Sequence, residues 1–100
     1  MVRIGIDRDA LTAFCRRHHV RRLSFFGSVL RGDFRPDSDV DVLVEFEEGR
    51  APGFLALHEI EQELSRLLRG LRVDLVTERF LNRRIRDRVL ATAELQYAAG

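Results

Sequence analysis

The chain contains no lysine; all 17 of its basic residues are arginine. That excludes chemistry through a Schiff-base lysine and a Walker-type phosphate loop, whose lysine is indispensable. Cysteine is reduced to a single residue, Cys15. No intrachain disulfide can form, and a reducing, cytoplasmic compartment is the expected home. There is no long apolar run and no signal-like amino terminus, so the chain is expected neither to span a membrane nor to be secreted. An excess of charge is missing too: 17 basic against 16 acidic residues leave a formal net charge of +1. Such balance gives no electrostatic footprint for nucleic acid, and direct nucleic-acid binding is not expected. Two local groups, Arg16, Arg17, Arg21, Arg22 and Arg83, Arg84, Arg86, Arg88, read first as solvated or salt-bridged faces and second as phosphate contacts. With 100 residues, 45% of them hydrophobic, the expectation is one domain over 1–100. Its core is real but small, with no room for a second domain to hold a template or bulky acceptor.

Hydrophobic spacing then organises the chain. Asp7 can cap a helix over about residues 8–19, with Leu11, Phe14, Cys15 and His18 on one face. Cys15 is read as core. His18 and His19 close that helix, where cationic side chains suit the macrodipole better than any metal. Residues 22–26 form a strand that stops at Gly27. Ser28 to Gly32 leaves room for one helical turn, and Pro36, Asp37 and Ser38 mark a turn. A second strand covers 39–46 and a loop 47–53. The next helix carries Phe54, Leu57, Ile60, Leu64, Leu67 and Leu68 as its apolar face and ends at Gly70. A third strand covers 71–77. Asn82 can cap a last helix bearing Ile85, Val89 and Leu90. The final "ELQYAAG" fits a helix tail and a short edge strand equally. The fold class is α+β, in the order α-β-β-α-β-α around a small mixed sheet.

Aspartates interrupt two of these apolar strands. Asp39 and Asp41 are two apart, so both leave one face of a strand whose other face carries Val40, Val42 and Val44. Asp74 stands between Val73 and Leu75 on the third strand. Burying carboxylates there is costly, and three together repel one another unless a cation compensates them. Hard divalent ions bound through oxygen do so, and magnesium is the expected one. Two such ions about 4 Å apart can stabilise both the attacking and the leaving oxygen of a phosphoryl transfer. The three aspartates are therefore expected to converge within reach of an ion. Gly27-Ser28, where a strand gives way to a helical turn, can receive a phosphate on backbone N–H groups and a hydroxyl. Arg31, one turn on, can clamp it. A lone D-x-D or G-S is commonplace; a phosphate cradle beside a carboxylate group describes a site for nucleoside triphosphates.

The pattern of Gly27-Ser28, ten residues, Asp39-x-Asp41 and a later Asp74 in an apolar strand resembles the nucleotidyltransferase superfamily that includes DNA polymerase β and kanamycin nucleotidyltransferase. More closely, "GSVLRGDFRPDSDVDVLVEF" with "VDLVT" resembles the minimal nucleotidyltransferases, over nearly the whole chain. The resemblance implies that Gly27 and Ser28 hold the triphosphate of ATP, with Arg31 a further nucleotide contact. It implies that Asp39 and Asp41 bind two Mg2+ ions, and that Asp74 is the third metal-site carboxylate, acting as base or base-positioner. Such proteins are typically antitoxins encoded beside a HEPN-type ribonuclease toxin, and some transfer AMP to a toxin tyrosine. Acceptor recognition would then come from a separate partner protein or from self-association. Two rival readings stay open: an antitoxin that works by occlusion alone, and the catalytic half of a two-subunit small-molecule nucleotidyltransferase.

Overall fold

The computed structural model describes residues 6–27, 39–77 and 83–99. Its elements are α1 (Arg8–Arg17), β1 (Val20–Phe26), β2 (Val40–Phe46), α2 (Phe54–Leu67), β3 (Val73–Thr77), α3 (Arg83–Thr92) and β4 (Glu94–Ala98). The expected α-β-β-α-β-α order holds through α3, and the undecided end is a strand. Ser28, Arg31, the turn at 36–38, the Asn82 cap and the side chains of Arg83, Arg84 and Ile85 lie outside the described residues.

The described strands form one mixed sheet in the order β3-β2-β1-β4. β1 runs antiparallel to both β2 and β4, while β2 and β3 are parallel. Connectivity explains the parallel pair, because α2 carries the chain back along the sheet before β3 begins. β4 pairs with β1 from Arg22–Ala98 to Phe25–Glu94, which makes β1 an inner strand.

α1 starts at Asp7, whose Oδ1 accepts from the N–H groups of Asp9 and Ala10 at 3.0 and 3.1 Å. These would otherwise be orphan donors of the first turn. The helix stops at Arg17, two residues short of the expected end. His19 turns into the left-handed region at φ 58°, and its carbonyl accepts from Glu47 N–H at 2.9 Å. The His18 ring lies against Phe14, with centroids 5.0 Å apart, and its Nε2 meets Glu63 Oε2 at 2.9 Å. Burial pushes the Glu63 carboxyl up, but hydrogen bonds from Arg17 and His18 outweigh it and hold the group below its ordinary range.

One face of the sheet carries Val40, Val42 and Val44 of β2, Leu23 and Phe25 of β1, and Val73 and Leu75 of β3, all buried. They pack on Leu11, Phe14 and Cys15 of α1 and on Ile60 and Leu64 of α2, with Leu68 just beyond it. Cys15 is fully buried as expected, and burial pushes its thiol up to about 12, which removes it from any nucleophilic role at neutral pH. One expected core residue does not belong. Phe54 is 82% exposed because it is the first residue of α2, a turn before the helix reaches the core at Leu57 and Ile60.

The edge at β3 is protected from within: the Leu75 N–H donates to Glu61 Oε2 of α2 at 2.9 Å, so that donor is not offered to another strand. The opposite face of the sheet is only partly covered. Leu43 is buried there and shares a cleft with Leu90 of α3 and Leu95 of β4. No helix among the described residues is long and apolar enough to cross a membrane.

Candidate active site

Beyond Leu43 the same face becomes acidic. In the parallel register Asp41 of β2 pairs with Asp74 of β3, so these two carboxylates leave neighbouring strands side by side, about 5 Å apart at the backbone. Asp39 stands one residue before β2, two from Asp41 and on the same side. The Val40 N–H donates to Arg72 O at 2.8 Å, which ties the entries of the two strands together at this point.

On the other flank of β2, Phe26 pairs with Asp41 in the antiparallel register, and Gly27 follows it directly. Gly27 holds φ at +76°, a conformation in which a β-carbon is strained. It also lies under the Asp41 side chain: a β-carbon there would sit 2.1 Å from Asp41 Oδ2 and 3.1 Å from its Cγ. Glycine at this turn therefore does something the sequence did not suggest. It leaves room for the Asp41 carboxylate, whatever it later does for a phosphate.

Two expectations need correction. The aspartates are not buried: Asp39 and Asp74 are exposed and Asp41 half-buried, because this part of the sheet face carries no described layer over it. The desolvation cost invoked from the apolar strand pattern is correspondingly small. Nor do the three converge. Among the described residues no three His, Cys, Asp or Glu side chains are gathered closely enough to hold a metal ion. Asp39 is turned instead toward Arg72, whose Nε lies 3.2 Å from Asp39 Oδ1.

Arg72 is the functional-site residue that motif spacing missed. The signal was present in the strand period, since Arg72 precedes Asp74 by two and so shares its face. The group nevertheless suits a hard divalent cation in kind. Its donors are carboxylate oxygens on one face, the kind of ligand such an ion takes. Asp41 and Asp74 supply two such donors from neighbouring strands, and Asp39 becomes a third once it leaves Arg72.

Comparison with known proteins bears on this geometry. A sequence profile described as "Nucleotidyltransferase domain" matches residues 8–95. The protein adenylyltransferase MntA of Thermococcus cleftensis is 49% identical over 74 residues, 74% of this chain and 72% of that one. A solved structure assigned to the minimal nucleotidyltransferases superposes with a TM-score of 0.70 at 48% identity, covering 86% of this chain and 85% of the other. A chain from the complex of a tri-AMPylated Shewanella oneidensis HEPN toxin with MNT antitoxin superposes with a TM-score of 0.65. At 19% identity, covering 92% of this chain and 70% of that one, this last match speaks for the fold alone.

Proposed function

Because the chain belongs to the nucleotidyltransferase domain family and is an enzyme of the protein adenylyltransferase kind, we propose that it is a magnesium-dependent antitoxin. In this proposal it transfers AMP from ATP to a tyrosine of a HEPN-type ribonuclease toxin. The observation that carries the site is the pairing of Asp41 with Asp74 beside Gly27. A 49% identical relative named as a protein adenylyltransferase supports the reaction, and the toxin–antitoxin assembly that shares its fold suggests the partner.

Each residue has a role in this proposal. Asp41 and Asp74 would hold Mg2+, with Asp39 joining on its release from Arg72, and the ion would supply charge stabilisation for both the attacking and the leaving oxygen. Gly27 keeps the Asp41 carboxylate in place, and Gly27 with Ser28 and Arg31 receives the triphosphate. Asp74 is exposed at the edge of the sheet, where it can take the proton of an incoming tyrosine hydroxyl. The tyrosine oxygen then bonds to the α-phosphorus, the α–β phosphoanhydride bond breaks, and pyrophosphate leaves with the electron pair. An acceptor carried by another protein suits a site whose Asp39 and Asp74 carboxylates are exposed.

Intact-mass analysis of the toxin, with and without ATP and Mg2+, tests the proposal. The toxin should gain the mass of AMP with wild type and not with an Asp39→Ala/Asp41→Ala variant of unchanged fold. A mass gain that survives in the double variant would place the chemistry elsewhere.

A further inference from the structure

Arg72 stands one residue before β3, as Asp39 stands one residue before β2. The Val40–Val73 pairing sets these two side by side in the same way that it sets Asp41 beside Asp74. Four side chains thus occupy one corner of the open face, two from each strand: Asp39 and Asp41, then Arg72 and Asp74. Three are carboxylates and the fourth is a guanidinium, which keeps its charge at every pH a folded protein meets. The contact between Arg72 Nε and Asp39 Oδ1, at 3.2 Å, is made by side chains that are 69% and 54% exposed.

We propose that Arg72 is the resident counter-cation of this corner: it holds the Asp39 carboxylate until a divalent ion takes that carboxylate over, so that ion affinity is set by competition with the guanidinium. This rests on the assignment of Asp39 as a metal ligand made above. Two features point the same way. The Asp39 oxygen that Arg72 Nε engages is a donor of the kind a metal needs, so the guanidinium and the ion compete for it. The pair is also solvent-screened and weak enough to exchange, which a buried ion pair would not be. Arg72 is thus a positioning residue for the reaction. It offsets repulsion among the three carboxylates, and it makes loading of the ion less favourable than the carboxylates alone would.

Calorimetric titration of the intact protein with Mn2+ tests this without reference to activity. Arg72→Gln should bind Mn2+ about two- to five-fold more tightly than wild type, the worth of one exposed ion pair. Arg72→Lys, which keeps the charge without the planar fork, should fall between them. In an Asp39→Asn background the gain from Arg72→Gln should shrink to near nothing, because the shared carboxylate is gone. An undiminished gain in that background would mean that Arg72 does not act through Asp39, and an unchanged affinity in Arg72→Gln would mean that it does not compete; either overturns the inference. If wild type binds Mn2+ and Asp39→Asn weakens it, the metal assignment stands whatever Arg72 does. If wild type binds none, that assignment and this inference fall together.

Discussion

Replacing Gly27 with alanine should be costly, and costly because of Asp41. Two terms follow from the structure. The first is backbone: φ at Gly27 is +76°, and an L-residue held in the left-handed region loses about 1–2 kcal/mol relative to glycine. The second is collision: the new methyl would stand 2.1 Å from Asp41 Oδ2, so the carboxylate must swing out of its rotamer, at about 1 kcal/mol. Together these give a loss of about 2–3 kcal/mol, a fall of roughly 10–20 °C in Tm for a domain of this size. The terms separate in a double-mutant cycle read by urea denaturation. Asp41→Ala removes the oxygens and Cγ and leaves only Cβ, at an ordinary 3.4 Å from the added methyl. In that background Gly27→Ala should keep only the backbone cost, leaving a coupling of about 1 kcal/mol between the two positions. A coupling indistinguishable from zero would refute the claim that glycine is there to make room for the carboxylate. The same swing would take Asp41 away from Asp74, so Mn2+ affinity should fall in Gly27→Ala even at temperatures where the variant is folded.

Two further outcomes are expected. The Cys15 thiol, buried and pushed up to about 12, should resist a thiol reagent in native buffer and react fully once the chain is unfolded; rapid native labelling would contradict its place in the core. Glu63 is held below its ordinary pKa by Arg17 and His18. Its contribution to stability is therefore present above the unfolded value of 4.5 and lost as pH falls through the lower folded value, so Glu63→Gln should flatten the acid limb of a Tm-against-pH curve. An acid limb identical to wild type would remove Glu63 as a contributor.

What was legible in the sequence depended on how local its cause was. The Asp7 cap, the alternation of Val40, Val42 and Val44, and the Leu11–Phe14–Cys15 stripe are set by neighbouring residues, and all three are found in the structure. The end of α1 moved because His19 meets Glu47 across the fold, which no local pattern records. "ELQYAAG" was undecidable because its strand character comes from pairing with β1, which lies in the first third of the chain. At the site, the strand period put Asp39 and Asp41 on one face, and only the register of β2 with β3 adds Asp74 to it. The period could not say that Asp39 is turned to Arg72 or that Gly27 lies under Asp41. Each of those is a contact between segments, and sheet register alone decides it.

Catalysis by this chain, as opposed to simple binding, is tested most directly by counting turnovers. A HEPN-type toxin would be incubated with ATP, Mg2+ and a trace of this protein, and the toxin's mass and residual ribonuclease activity followed together. The expected result is many AMP-modified, inactive toxin molecules for each copy of the protein. Toxin that is silenced only at one copy per molecule, unmodified and indifferent to ATP, would contradict the assignment.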